Sequence, residues 1–255
     1  MHIEVGDVER NFAIAQKMML EAVAQPDNPD VIVLPEMWNT GYALEQIDVL
    51  ADCDGERTRK LMSVFAREHQ INIVAGSVSA RSSSDRRVRN TIYAFNRSGQ
   101  QVGDYSKIHL FCLMDEEKYL APGDAIGRFA IDGVEAGAVI CYDIRFPELA
   151  RKLALSGAQM LFVPAEWPHP RLHHWRTLLQ ARAIENQMYV LACNRTGVSG
   201  DTHFFGHSMV IDPWGEIIVE GGEEETILYA EIDISQVGEV RKKIPIFTDR
   251  RPELY

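Results

Sequence analysis

Three side chains of complementary chemistry stand at the ends of apolar runs: Glu36 in VIVLPEMWNTGY, Lys107 in GDYSKIHLF and Cys141 in VICYDIRFPE. Each alone has a dull explanation, as a solvated loop carboxylate, a surface ammonium or a small buried thiol. Together they suffice for covalent amide hydrolysis. A thiolate attacks a carbonyl carbon, a carboxylate carries protons, and an ammonium offsets the oxyanion. No histidine base is required, because a carboxylate tuned by its neighbours can replace an imidazole.

The thiol carries a further pointer. Gly137 to Cys141 reads as a buried strand, and Arg145 to Leu153 has helical spacing through Phe146, Leu149, Ala150 and Leu153. Pro147 suits a first helical turn. A thiol at such a corner faces unsatisfied backbone N–H groups, and the helix dipole favours negative charge, so Cys141 is expected to lean towards thiolate. Cys193 also ends a strand, in MYVLACNRTG, but a turn signal follows it rather than a helix. Cys53 and Cys112 read as bystanders. The histidines His169, His173 and His174 look metal-like, yet the interposed Pro170 and the helix start favour capping or pocket roles. No metal or other cofactor is called for.

The elements that must position these groups alternate. Asn11 to Ala24 is an amphipathic helix, and Asp30 to Glu36 a buried strand. Thr58 to Gln70 is helical, INIVAGSVS a strand, and NTIYAFNRSGQQVGDYSK a hairpin around Asn96 to Gly99. After the Cys141 unit come AQMLFVPAEW as a strand, His174 to Glu185 as a helix and MYVLACNRTG as a strand. A second hairpin turns at Asp212 to Gly215, ILYAEIDI reads as a last strand, and the tail from Val240 is charged and irregular. The order helix, strand, helix, strand, hairpin occurs twice. Two such halves predict two sheets packed face to face with helices outside, a four-layer αββα sandwich forming one α/β domain over residues 1–255.

Bulk properties narrow the function. The chain has 255 residues, 46% hydrophobic and 25% charged, an ordinary globular composition. A formal net charge of -11 argues against nucleic acid as a partner. No apolar run approaches the ~20 residues that cross a bilayer. The start, MHIEVGDVERN, has neither the basic nor the apolar region of a secretory signal. The four scattered cysteines read as free thiols of a reducing compartment, so the expected setting is cytoplasmic.

LPEMWNTGY, YSKIHLF and ICYDIRFPEL, in that order, resemble the signature regions of the nitrilase superfamily of carbon–nitrogen hydrolases. The resemblance continues through VPAEWP, HHWRTLLQARAIENQ, DPWGE and DRRPELY, and so covers nearly the whole chain. It implies Glu36 as general base, Lys107 as oxyanion stabiliser and Cys141 as nucleophile, working through a thioester. It also implies the Tyr142 N–H as a second oxyanion donor and a second glutamate beside the lysine. LMDEEKYLAPGD offers Glu116 and Glu117 for that place, and the spacing to Gly123 favours Glu116. An αββα fold and a homodimer or higher homo-oligomer are implied too. One departure stands out: relatives begin with a full strand ahead of the VGD segment, and here most of it is missing.

Around the nucleophile, Cys141-Tyr-Asp-Ile-Arg-Phe-Pro-Glu looks like the ω-amidase branch, and LMDEEKYLAPG and PAEWPHPRLHHW resemble its bacterial methionine-salvage members. That implies hydrolysis of the terminal amide of a small 2-oxo dicarboxylic acid monoamide such as 2-oxoglutaramate. Arg145 is then a candidate for binding the substrate carboxylate, against a structural ion pair at the helix start. Tyr42, Trp167 and His169 are pocket candidates by position. N-carbamoyl amino acid hydrolysis, nitrile hydrolysis and a catalytically silent scaffold are the alternatives.

Overall fold

Alternating side-chain placement along the strands fixes the layers of this α/β fold. In the computed structural model, which describes residues 1–25 and 28–254, the first half contributes α1 (Val8–Val23), β1 (Val31–Val33), α2 (Ile47–Leu50), β2 (Asp52–Cys53), α3 (Glu56–His69), β3 (Asn72–Arg81), β4 (Val88–Phe95), β5 (Gln101–Ser106) and α4 (Glu116–Tyr119). The second half contributes β6 (Gly127–Ile131), β7 (Val134–Ala138), α5 (Pro147–Leu155), β8 (Met160–Ala165), α6 (Leu172–Asn186), β9 (Tyr189–Asn194), β10 (Thr196–Ser199), β11 (Thr202–Phe205), β12 (Met209–Ile211), β13 (Ile217–Glu220) and α7 (Ser235–Lys243).

One sheet runs β1-β3-β4-β5, with β2 added on β3, and the other runs β13-β12-β9-β8-β7-β6. On β3 and β4, Ile73, Ala75, Tyr93 and Phe95 pack beneath α1 and α3, against Phe12, Met19, Met62 and Phe65. Their neighbours Val74, Ile92 and Ala94 point the other way and meet Phe129, Ala136 and Val163 of the second sheet. The period of two thus feeds two separate interfaces from one strand. On the far side, Leu149, Leu153, Trp175 and Leu179 of α5 and α6 close the second sheet. The central parallel strand β8, between β7 and β9, is buried on both faces, which is why MLFVPA reads as an unbroken apolar run.

Local signals match the helix ends. The Asp7 side chain accepts from the Arg10 N–H and caps α1. Pro147 opens α5, and α3 closes on a left-handed Gln70.

Several expectations need correction. The strand expected in ILYAEIDI forms no ladder; residues 227–234 run alongside the body, with Tyr229 donating to the Ala22 carbonyl. The tail expected to be irregular from Val240 begins instead inside α7. The hairpins β6–β7 and β10–β11 carry weak alternation and were not anticipated. At the N-terminus, the strand that the family resemblance leads one to expect appears as one parallel bridge, His2 with Thr196. Met1 and Ile3 beside it are buried, and their carbonyls accept from the Thr196 N–H and from Arg195 Nη2.

Candidate active site

The three apolar runs end at one place. Glu36 lies three residues past β1, Lys107 follows β5, and Cys141 lies three residues past β7. Ligand sites of open α/β sheets gather at such carboxyl ends. Glu36 and Lys107 are fully buried, and so is Glu116, the first residue of α4. Glu117 is exposed.

Lys107 Nζ donates to Glu36 Oε1 at 2.9 Å and to Glu116 Oε1 at 2.6 Å. The Tyr42 hydroxyl reaches the same two oxygens, at 3.1 and 2.5 Å. Asn90 Nδ2 donates to Glu36 Oε1 at 2.8 Å, and the Glu166 N–H to Glu36 Oε2 at 2.7 Å. Glu36 therefore accepts from four donors, which suits an ionised, acceptor-only carboxylate. Glu116 is fixed from behind by the Phe111 N–H on its Oε2.

Electrostatics follow from this dry cage. Burial opposes charging Lys107, but Glu36 and Glu116 outweigh it and hold its pKa well above the ordinary lysine value. Burial, then the two glutamates, push the Tyr42 hydroxyl well above its usual range. Burial also drives the Cys141 thiol well above its usual value, with Glu36 adding to the rise and Lys107 opposing it. The expected lean towards thiolate is thus overturned, and the reason is geometric. A tight helical turn, Cys141–Arg145, separates the thiol from α5, so Cys141 does not sit on that helix's first N–H groups. Burial and the neighbouring Glu36 thus favour the protonated thiol at Cys141.

The backbone is strained where the cage is built. Cys141 has φ +44°, Met37 after Glu36 has φ +41°, and Asp115 before Glu116 has φ +59°. Non-glycine residues in this region cost about 1–3 kcal/mol each and persist where surrounding structure over-determines them. The surrounding structure here is visible. Asp143 Oδ2 accepts from the Ile140 N–H and the Tyr105 hydroxyl, while its Oδ1 accepts from the His109 N–H, pinning both ends of the cysteine turn. Residues 34–38 are stitched to β3 through Ser77 N–H on the Pro35 carbonyl, Met37 N–H on Ser77 Oγ and Trp38 Nε1–H on the Ala75 carbonyl. Gly76 permits that approach: its φ is +58°, and a Cβ there would lie 2.1 Å from the Pro35 oxygen.

A narrow cleft opens onto Cys141, walled by Tyr42, Phe111, Tyr142, Arg145, Trp167 and Arg171 among others. Arg145 lies over the Trp167 ring at 4.6 Å with Nη2 3.4 Å from His174 Nδ1, so it is stacked in the cleft wall. His169 departs from its expected pocket place. It does not line this cleft and turns towards His203 and Glu223. Cys193 stays within β9, away from the cleft.

Sequence reasoning missed the Tyr42, Asn90 and Asp143 hydrogen bonds, and also Glu166. That carboxylate pairs with Arg195 at 2.8 Å, both side chains being buried, and its Oε1 has no hydrogen-bond partner among the described residues. Burial pushes Glu166 up to about 7 against the pull of Arg195. A polar residue straight after the apolar run MLFVPA was the available signal.

Comparison with known proteins agrees with this architecture. The sequence profile of the carbon-nitrogen hydrolase family matches residues 1–242. The 2-oxoglutaramate amidase of Bacillus subtilis is 53% identical over 226 residues, 89% of this chain and 86% of that one. The omega-amidase of Mus musculus is 35% identical, spanning 100% of this chain and 95% of the relative. The crystal structure of a branch 10 member of the nitrilase superfamily from Saccharomyces cerevisiae superposes with a TM-score of 0.89. It is 29% identical and covers 96% of this chain and 91% of that chain. With a match over nearly its entire length, a sandwich of the same fold and a cysteine beside paired carboxylates, the chain belongs to the carbon-nitrogen hydrolase family and is a hydrolase of carbon–nitrogen bonds.

Proposed function

We propose that this enzyme hydrolyses the terminal amide of a 2-oxo dicarboxylic acid monoamide of the 2-oxoglutaramate type, giving the dicarboxylic acid and ammonia. The observation that carries the reading is the buried cage, in which Lys107 is gripped between Glu36 and Glu116 beside Cys141. Glu36 takes the thiol proton, and Cys141 Sγ attacks the amide carbon. The oxyanion falls between Lys107 Nζ and the Tyr142 N–H. Collapse breaks the C–N bond, with Glu36 returning its proton so that ammonia leaves and a thioester remains. Glu36 then deprotonates a water that attacks the thioester, and the thiol leaves with that proton. Glu116 and Tyr42 hold the lysine and the base in register. A raised thiol pKa supports this order, because a protonated nucleophile needs a base at hand.

The substrate class rests on two supports. Relatives named 2-oxoglutaramate amidase and omega-amidase lie at 53% and 35% identity. The cleft also places two guanidinium groups, Arg145 and Arg171, at its aromatic wall, suited to a substrate carboxylate. Action in the cytoplasm as a homodimer belongs to the same proposal.

Ammonia release from 2-oxoglutaramate, N-carbamoyl amino acids and simple nitriles tests the reading, with Cys141→Ala as control. Turnover of the oxo-amide that vanishes in the control is expected. For Arg145→Ala we expect a KM about 10- to 100-fold higher for the carboxylate-bearing amide and little change for a neutral amide, the loss of a charge-assisted bond of about 1.5–3 kcal/mol. Turnover confined to carbamoyl or nitrile substrates moves the substrate class. Turnover surviving in Cys141→Ala removes the nucleophile.

A further inference from the structure

Outside the cleft, two histidines and a carboxylate converge from three separated segments. His169 lies in the loop after β8, His203 in β11, and Glu223 beyond β13. Glu223 Oε1 is 3.3 Å from His169 Nε2, and its Oε2 is 3.8 Å from His203 Nε2. The three candidate ligand atoms all lie within 4.8 Å of one another.

We propose that His169, His203 and Glu223 form a binding site for a divalent d-block cation of the Zn²⁺ class, on the outer side of the loop that walls the active cleft. Two imidazoles and one carboxylate are the donor set that holds such ions while leaving a position for water. In a tetrahedral site with metal–ligand bonds of about 2.0–2.2 Å, ligand atoms lie roughly 3.3–3.5 Å apart. The His169–Glu223 pair already meets that spacing, and the other pairs close by rotation of half-exposed side chains. On binding, each ring presents its Nε2 lone pair and carries its proton on Nδ1.

The backbones that carry the ligands are tied together without the ion. The His169 N–H donates to the His203 carbonyl at 2.9 Å, and Pro168 bridges to Phe204. The His207 N–H donates to the Gly222 carbonyl at 3.1 Å, and the Gly221 N–H to the Ser208 carbonyl at 2.9 Å. The His169 ring rests edge-on against Phe205, with centroids 5.2 Å apart. Glu224 and Glu225 follow Glu223 in sequence and add negative potential. Because Trp167, Pro168 and Arg171 line the cleft, a cation here braces the cleft wall against β11 and the segment after β13.

Cobalt(II) titration of the untagged, chelator-treated protein tests the site. One equivalent per chain is expected, with visible d–d bands and no thiolate-to-cobalt charge transfer. His203→Ala and the isosteric Glu223→Gln each weaken binding by about tenfold or more, while Cys141→Ala binds as the parent does. Amide turnover of metal-free Glu223→Gln stays at the parental level, which shows the variant folded. A parent protein with no saturable spectrum, a spectrum of thiolate ligation, or variants that bind as tightly as the parent would each overturn the assignment.

Discussion

Glu36→Gln changes one atom type at the most connected point of the cage. Three donors converge on Glu36 Oε1, from Tyr42, Asn90 and Lys107, and one on Oε2, from the Glu166 N–H. A glutamine best keeps its oxygen towards the three and turns its amino group on the Glu166 N–H. One buried N–H then faces another donor, at about 1–3 kcal/mol. Lys107 also loses one of its two anions. At 2.9 Å and an effective dielectric near 20 that attraction is about 6 kcal/mol, but most of it is offset because a buried carboxylate no longer has to be desolvated. Glu116 still holds the ammonium. The net cost comes to about 2–4 kcal/mol, a fall in melting temperature of about 5–15 °C for a chain of this size. Under the proposed mechanism turnover falls further, by about 10²–10⁴, because the Cys141 thiol loses its base. Scanning calorimetry reads the first number, and ammonia release at a temperature where the variant is folded reads the second. A folded variant with turnover within tenfold of the parent would refute Glu36 as the base. A melting temperature within about 2 °C of the parent would refute the account of the four donors.

Gly76→Ala forces a Cβ to within 2.1 Å of the Pro35 oxygen at φ +58°, so we expect a loss of about 3 kcal/mol or more. Turnover should drop beyond what stability explains, because Glu36 is the next residue. Gly133→Ala, at φ +80° with open space around it, is the control and costs about 1 kcal/mol; equal losses in the two would sink the close-approach argument. Glu166 titrates near 7 when folded against an ordinary carboxylate value near 4.5. The folded state therefore binds the extra proton, and stability declines as pH rises from about 4.5 to about 7, by about 3 kcal/mol. Denaturant midpoints of Glu166→Gln across that window should lack this decline, whereas curves parallel to the parent would show that Glu166 does not titrate there.

Much of this was legible in the chain itself. Apolar runs of period two and amphipathic helices of period 3.6 gave the alternation of layers, since both patterns are local consequences of backbone geometry. The end of each run marked Glu36, Lys107 and Cys141, because a charged or reactive side chain after a buried strand has to be placed deliberately. Segments bounded by weak or mixed patterns were misread. ILYAEIDI alternates like a strand, yet 227–234 joins no ladder, because strand pairing depends on a neighbour that sequence does not display. His169, grouped by spacing with His173 and His174, meets His203 and Glu223 instead, which lie 34 and 54 residues away in sequence.

What the sequence determined by itself was the inventory of reactive groups, the αββα layering and the family. What only the tertiary structure decided was their state. The same cysteine that a strand-to-helix reading turns towards thiolate is pushed the other way, because a tight turn removes it from the α5 terminus and burial, then Glu36, raise the thiol pKa. Lys107 keeps its charge in a fully buried site because two carboxylates close around it, Glu116 from the next helix and Glu36 from 71 residues away in the chain. Protonation depends on distances and dielectric surroundings, and these exist only once segments far apart in the chain have been packed against one another.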